Sequence, residues 1–201
     1  MNNGTPKILM VDDDPMMRLL ASEMLEQDGF TVLEADSGEE ALRQFAATGA
    51  DLILLDVIMP GWDGFATCQQ LRQTPAGSQT PIVMMTGLGD EASIQRAYDA
   101  GATDFIVKPI IRPILIQRVR YVLRASAALR EVAARADFQK ALIDTTPVPI
   151  RVEDAHGRSL ICNPAFETLF GGQEVPEPTD PTSPDWTDSQ VYEAEMLNSH
   201  Q

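Results

Sequence analysis

Five short, mostly apolar runs punctuate the first half of the chain, and each is followed directly by polar or turn-forming residues. Runs of this length are typical of strands buried in a parallel sheet. The stretches between them carry apolar side chains at helical spacing, so the pattern predicts a parallel sheet covered by helices on both faces. The fold class is therefore α/β, with five strands alternating with helices. The predicted strands are 7–11, 30–35, 52–56, 81–86 and 104–107.

Capping residues mark where the intervening helices begin. Pro15 follows Asp14, which suits a first helical position after an N-cap. Ser37 is predicted to cap the second helix, with Glu40 completing a capping box. The four helices are expected over 15–28, 38–48, 64–74 and 90–101. The inner face of the first helix is assigned to Met17, Leu20, Met24 and Leu25.

A fifth helix is predicted to begin near Pro113 and to continue to about residue 144. Its apolar positions follow a four–three repeat rich in alanine, which makes it a modest coiled-coil candidate. We expect it to pair with a second copy of the chain. The alternative is a long surface helix that folds back on its own domain. The repeat comprises Leu115, Val119, Val122, Ser126, Leu129, Ala133, Ala136, Lys140 and Ile143.

Beyond a Pro-Val-Pro break at 147–149, the pattern changes to two short strands, 150–153 and 158–162, joined by a turn, and a short helix ending at Phe170. A stretch rich in Pro, Asp and Thr over 174–188 is expected to be loop or disordered. This last part holds too little apolar content to close a core alone. We therefore expect the sequence to be part of a longer protein.

The net charge of −15 argues against nucleic acid as a direct partner, because phosphate binding relies on Lys and Arg. The exception is 112–136, where six arginines accompany one glutamate, and we interpret it as a solvated helix surface. Two distant cysteines, Cys68 and Cys162, form no metal-binding spacing and are predicted to be buried, reduced thiols. No apolar run approaches the ~20 residues of a membrane span, and no signal-peptide pattern begins the chain. A cytoplasmic protein without a membrane partner is expected.

Polar residues stand at the carboxyl ends of four of the predicted strands: Asp12 with Asp13, Asp56, Thr86 and Lys108. Such ends converge on one edge of a parallel sheet. Carboxylate oxygens suit Mg²⁺, a lysine suits a phosphate, and a hydroxyl adds a donor. Together these groups meet the needs of phosphoryl transfer, with the Asp56 carboxylate as nucleophile.

Four stretches stand out along residues 6–125: ILMVDDDP, LILLDVIMPGWDG, PIVMMTG and GATDFIVKPI. Through them, residues 6–125 resemble the receiver domain of two-component response regulators, which implies a flavodoxin-like (βα)5 fold. The resemblance implies that Asp56 accepts a phosphoryl group. It also implies that Asp12 and Asp13 hold Mg²⁺ with Asp56 and the backbone carbonyl of Ile58. A sensor histidine kinase or phosphotransfer protein would be the donor.

The same resemblance gives roles to three further residues. Lys108 would pair with the phosphoryl group, the Thr86 hydroxyl would move to a phosphoryl oxygen, and Phe105 would be the aromatic switch. The family often has Tyr at that place, so the hydroxyl of the switch residue is absent here. The change would reach the face made by the fourth helix, fifth strand and fifth helix, where a homodimer is expected, and would pass along the helix.

Residues 138–171 resemble the beginning of a PAS domain, through TTPVPIRVEDAHGRSLICNPAFETLFG. The resemblance assigns no ligand residue, and His156 is interpreted as a solvated turn residue. The expected organisation is a receiver domain over 1–125, a helical and possibly coiled-coil linker over 126–146, and a partial PAS-like segment over 147–201.

Three other functions are weighed against a phosphoacceptor. A phosphatase of the haloacid dehalogenase type has a second Asp two residues after the nucleophile, where this chain has Ile58, so enzyme turnover is not expected. A phosphorylation-independent scaffold would be favoured by loss of Asp13, Asp56 or Lys108, and all three are present. A DNA-binding output is disfavoured because no basic recognition helix follows the receiver-like part. The sequence names neither the donor kinase nor an output domain.

Overall fold

The computed structural model describes residues 4–87, 91–156 and 158–170. The chain divides into two compact units, Met1–Ala134 and Arg135–Gln201. The loop predicted over 174–188 lies outside the described residues. Among the helices that are described, none combines the length and the apolar character that a membrane span requires.

The first unit is built on a five-stranded parallel sheet with the strand order β2-β1-β3-β4-β5. This confirms the predicted parallel sheet and its five strands. The side chains of β3 and β4 are buried on both faces, which explains why their sequences are apolar without alternation. The strands are β1 (Lys7–Val11), β2 (Thr31–Ala35), β3 (Leu52–Asp56), β4 (Ile82–Thr86) and β5 (Asp104–Val107).

Helices cover both faces of this sheet. Successive strand residues point to opposite sides, and the apolar side chains on each side are buried beneath helices. Leu9 and Ile53 pack with Phe45 of the second helix on one face. Ile8 and Leu54 face the other side. The helices of the unit are α1 (Pro15–Glu26), α2 (Gly38–Thr48), α3 (Gly64–Arg72), α4 (Glu91–Asp99) and α5 (Arg112–Thr145), the last of which continues into the second unit.

The inner face of α1 differs from the expectation at one position. Leu20 is 42% exposed, whereas Ala21, Ser22 and Leu25 are buried. Ala21 packs in the same core cluster as Leu25, so the buried stripe of α1 runs beside Leu20 and not through it. Apolar character alone did not reveal this, because Leu20 and Ala21 are both compatible with an inner face.

The predicted capping box of α2 is only half formed. Ser37 Oγ accepts the Glu40 amide at 3.4 Å, as a cap should. The Glu40 carboxylate, however, bonds Arg43 and Gln44 on its own helix. These side-chain donors lie one turn further along the helix and engage the carboxylate in place of the Ser37 amide.

The four–three repeat of α5 has two different physical causes along its length. Leu115, Val119 and Val122 are buried against the sheet of their own unit, so the prediction that they line a seam between helices is wrong. Beyond them the repeat is open to solvent, and Leu129 is 72% exposed. Packing on a sheet and packing on a second helix require the same spacing, which is why the sequence did not separate them.

The second unit contains the predicted antiparallel hairpin and short helix. Its anchor is Asn163, which is 0% exposed. The amide oxygen of Asn163 accepts the backbone amides of Ile150 at 2.8 Å and Phe166 at 3.0 Å, and its nitrogen donates to the carbonyls of Ile143 at 3.1 Å and Val148 at 2.9 Å. The elements are β6 (Arg151–Glu153), β7 (Ser159–Cys162) and α6 (Pro164–Phe170).

Replacing this anchor should loosen the hairpin while leaving the parallel sheet unchanged. Asn163→Ala removes the acceptor of the Ile150 and Phe166 amides, so their hydrogen exchange should accelerate about tenfold or more. Hydrogen-exchange mass spectrometry measures this change. Thr168→Ala, which removes one exposed hydroxyl bond on α6, is the control and should exchange as the parent does. Equal protection in both variants would contradict the anchoring role.

Candidate functional site

The carboxyl ends of four strands meet at one edge of the sheet. The register pairs Val11 with Leu55, and Thr86 with Val107. Asp12 follows the first of these residues, and Lys108 follows the last. Polar residues that are far apart in the sequence therefore lie at one level of the sheet, as predicted.

The Lys108 ammonium joins two of these residues. Its Nζ lies 3.0 Å from Asp12 Oδ2 and 2.9 Å from Asp56 Oδ1. Asp56 is 5% exposed, and Asp12 is fully buried. Buried carboxylates are strongly destabilising unless a countercharge compensates for their lost hydration. Lys108 supplies that charge to both at once.

Asp13 completes a cluster of three carboxylates. One side-chain oxygen from each of Asp12, Asp13 and Asp56 lies within 4.8 Å of the others, and the Asp13 side chain faces solvent. The three carboxylates carry more negative charge than the single Lys108 ammonium neutralises, which favours a cation. All the ligand atoms that they offer are oxygens. The chemistry of this donor set fits Mg²⁺, which takes few protein ligands and keeps several waters.

Burial raises the pKa of the Asp56 carboxyl above its ordinary value, and the nearby Asp12 charge adds to the effect. The hydrogen bond and charge of Lys108 lower the pKa of Asp56, but they offset the loss of hydration only in part. Burial alone would depress the pKa of Lys108. The bonds to Asp56 and Asp12 outweigh this and raise the pKa of Lys108, so the ammonium keeps its proton at neutral pH.

Gly64 contributes to the site in a way that sequence reasoning missed. A Cβ at this position would lie 2.2 Å from the carbonyl oxygen of Asp56 and 2.8 Å from Cα of Val57. Without a side chain, Gly64 can approach closely enough for its amide to donate to the Val57 carbonyl at 2.9 Å. The N-terminus of α3, capped by Asp63, therefore packs directly on the strand end that carries Asp56.

Arg18 is a second residue that the sequence did not single out. Its guanidinium donates to the backbone carbonyl of Asp12 at 2.6 Å. Nothing in the spacing of α1 distinguishes an arginine that points to solvent from one that reaches back to the preceding strand. The contact places a second cation next to the carboxylate cluster.

The predicted switch residues occupy neighbouring strands. Thr86 is buried at the end of β4, and its carbonyl accepts the Lys108 amide at 2.8 Å. Phe105 is half-buried on β5, two residues before the partner of Thr86 in the register. Its ring meets Tyr98 of α4 edge-on, with the centroids 6.1 Å apart. A movement of the Phe105 ring would therefore change its contact with Tyr98 on α4.

The remaining candidate residues lie as follows. Ile58, in the loop after β3, has an exposed side chain, and the metal-ligand role of its carbonyl stays a prediction. His156 is exposed in the hairpin turn, where its backbone amide donates to the Asp154 carboxylate at 2.9 Å. Cys68 and Cys162 are both free thiols. Cys68 is buried as predicted, whereas Cys162, at the end of the largely exposed strand β7, is only half-buried.

Comparisons with known proteins agree with this geometry. Residues 8–120 match the family model of the response regulator receiver domain. The chain is 37% identical over 137 residues to the transcriptional regulatory protein ResD of Bacillus subtilis, covering 68% of this chain and 56% of ResD. It is 42% identical over 120 residues to CpxR of Escherichia coli, covering 60% of this chain and 50% of CpxR.

Solved structures with the same architecture include a putative response regulator of Chloroflexus aurantiacus, with a TM-score of 0.58 and 36% identity over 60% of this chain and 99% of that chain. The chemotaxis protein CheY4 of Vibrio cholerae aligns with a TM-score of 0.58 and 32% identity, over 59% of this chain and 99% of its own. The chain spans about half the length of the curated relatives described above.

The raised pKa of Asp56 predicts how its removal changes stability. A raised native pKa means that the ionised carboxylate destabilises the fold at high pH. In EDTA at pH 8, Asp56→Asn should therefore raise the melting temperature by about 2–4 °C, the shift that about 1 kcal/mol produces in a chain of this size. The gain should shrink as the pH falls towards the ordinary value of about 4.

Thermal unfolding followed by circular dichroism from pH 8 downwards measures this dependence. The control is Asp51→Asn, because Asp51 accepts the Lys7 amide at 2.8 Å at the opposite end of β3 and should give no such gain. Lower stability of Asp56→Asn at pH 8, or a gain that grows in acid, would contradict the raised pKa.

Proposed function

Because the chain belongs to the response regulator receiver domain family of two-component systems, we propose that it is a phosphoacceptor that takes a phosphoryl group onto Asp56. The donor is a histidine kinase or a phosphotransfer protein. The observation that carries the proposal is the Lys108 ammonium, held between the buried carboxylates of Asp12 and Asp56 at the carboxyl edge of the sheet.

The transfer needs only a nucleophile, charge neutralisation and correct placement. A carboxylate oxygen of Asp56 forms a bond to phosphorus, and the bond from phosphorus to the donor histidine nitrogen breaks, leaving its electron pair on the imidazole. The product is an acyl phosphate on Asp56. Lys108 is within reach of the new phosphoryl oxygens because it already contacts the Asp56 carboxylate.

Magnesium is proposed to be held by Asp12, Asp13, Asp56 and the backbone carbonyl of Ile58. The cluster of three carboxylates supports this set. Bound Mg²⁺ would supply positive charge to neutralise the phosphoryl oxygens during transfer. Asp12 and Asp13 would hold the cation beside Asp56, the carboxylate that accepts the phosphoryl group.

The output is proposed to be a shift between two conformations of the sheet edge. The Thr86 hydroxyl moves towards a phosphoryl oxygen, and Phe105 follows into the space that Thr86 leaves. The edge-on contact between Phe105 and Tyr98 supports a coupling to α4. From this face the change passes to α5 and along it to the linker at 126–146.

The same face is proposed to bind a second copy of the chain. It presents exposed apolar side chains from α4, β5 and α5, namely Tyr98, Val107, Ile114 and Tyr121. The ion pair of Arg118 with Asp104, 3.3 Å apart, lies across β5 and α5. Exposed apolar surface beside charged residues is typical of a protein interface.

Two further proposals concern the PAS-like character of the second unit and the absence of nucleic acid among the partners of the chain. The family match ends at residue 120, so a PAS-like character of 147–201 rests on its resemblance alone. The relatives ResD and CpxR are named transcriptional regulatory proteins, and this chain matches about half of each. The absence of nucleic acid binding by this chain therefore stays a prediction, based on its net charge of −15.

Acetyl phosphate tests the phosphoacceptor directly. With Mg²⁺ the parent should gain the mass of one phosphoryl group, and the gain should disappear in EDTA, because the carboxylates then lack their cation. Asp56→Asn should gain none. Intact-mass spectrometry measures all three samples.

The control for this experiment is Asp51→Asn, which alters the other end of the same strand and should be phosphorylated like the parent. Folding of each variant is checked by circular dichroism. An unmodified parent with an intact fold would favour a phosphorylation-independent scaffold. Equal labelling of Asp56→Asn would place the acceptor elsewhere.

The proposed dimer face predicts a separable defect. Ile114→Glu puts a charge where an apolar contact is expected, so phosphorylated dimers should dissociate about tenfold more readily than those of the parent. Sedimentation velocity over a concentration series measures the dissociation constant. Leu19→Glu makes the same change at an exposed site on α1 and should have no effect. Identical behaviour of the two variants would argue against this face.

A further inference from the structure

Arg18 connects three parts of the fold that meet beside the carboxylate cluster. It lies in the first turn of α1, and only 17% of its side chain is exposed. One guanidinium nitrogen donates to the carbonyl of Asp12 at 2.6 Å, and Nε lies 3.4 Å from the Glu34 carboxylate on β2. An arginine that donates to a backbone carbonyl while paired with a carboxylate is fixed at both ends of its fork.

Asp12 would keep its position without Arg18. Its amide donates to the Ala35 carbonyl at 3.2 Å. Its Oδ1 accepts the Asp14 amide at 2.9 Å, and its Oδ2 accepts Lys108 at 3.0 Å. Both carboxylate oxygens and the backbone amide are therefore already held by other groups.

Asp13 is held differently. Its side chain is exposed, and within the described part of the chain its carboxylate has no hydrogen-bond partner. Yet one of its oxygens lies within 4.8 Å of those of Asp12 and Asp56. The position of this carboxylate is therefore set by the backbone that leads into it.

The peptide group between Asp12 and Asp13 is planar, so fixing its carbonyl oxygen also fixes the direction in which the chain enters Asp13. Arg18 holds that oxygen. We propose that Arg18 is a positioning residue of the magnesium site, which orients the Asp12–Asp13 peptide so that the Asp13 carboxylate faces Asp56. This inference rests on the proposed use of Mg²⁺ by the chain.

Charge alone predicts the opposite effect of Arg18. A guanidinium beside a cation site repels the cation, so removing it should tighten Mg²⁺ binding. Loss of orientation should weaken binding instead, because partners that orient metal ligands are typically worth about 10–100-fold in affinity. The sign of the change therefore separates positioning from electrostatics.

Arg18→Met tests the proposal, since it keeps the length and the apolar stem of the side chain but removes the donors. Mg²⁺ alone is titrated into the ¹⁵N-labelled full chain, and the amide signals of Asp13 and Val57 report the dissociation constant. We expect the constant to rise about tenfold in Arg18→Met. Melting in EDTA confirms that the variant is folded.

Glu34→Gln is the matched control, because it breaks the same ion pair but leaves the bond from Arg18 to the Asp12 carbonyl in place. Its dissociation constant should stay within about twofold of the parent value, as expected for a partly exposed ion pair. A purely structural tie between α1 and β2 would instead make the two variants alike.

Three results would overturn the inference: an unchanged constant in Arg18→Met, tighter binding in Arg18→Met, or an equal weakening in Glu34→Gln. A parent chain that binds no Mg²⁺ would overturn the proposed magnesium site as well. A parent that binds Mg²⁺ with an affinity equal to that of Arg18→Met would overturn only the role of Arg18.

Discussion

One ammonium group shared by two buried carboxylates is the interaction on which the candidate site at the sheet edge depends. Lys108 contacts Asp12 and Asp56 at hydrogen-bond distance, and neither carboxylate has enough solvent to be hydrated. Without this cation, two neighbouring negative charges at a sheet edge would repel each other in a poorly hydrated environment. The compensation is incomplete, as the raised pKa of Asp56 indicates. The remaining negative charge of the carboxylate cluster suits the proposed divalent cation.

The rest of the first unit places these groups. Parallel strands buried on both faces bring residues from distant parts of the sequence to one level. The first residue of α3 packs against the end of β3 so closely that only glycine fits at position 64. The Asp12 carbonyl, just after β1, accepts a hydrogen bond from Arg18. Phosphoryl transfer needs placement more than covalent chemistry from the protein, so a rigid edge of this kind suits the proposed acceptor role.

The sequence predicted the sheet because buried parallel strands and capped helices leave strong local signals. The polar residues at the strand ends then predicted that Asp12, Asp56 and Lys108 lie together, as they do. Longer-range properties were less visible. The spacing of Leu115 and Val119 is the same for packing on a sheet as for packing on a second helix. The role of Gly64 depends on how closely α3 approaches β3, and that of Arg18 on a contact across elements. These are distances in space, which no local pattern records.

The central claim is that Asp56 itself carries the phosphoryl group. Borohydride reduction of the acetyl-phosphate-treated protein converts an aspartyl phosphate to homoserine, and tandem mass spectrometry of the peptides locates it. The account predicts homoserine at position 56 alone, in an amount that follows the phosphorylated fraction. Homoserine at Asp12 or Asp13, or a phosphoryl group on a hydroxyl that survives reduction, would contradict it.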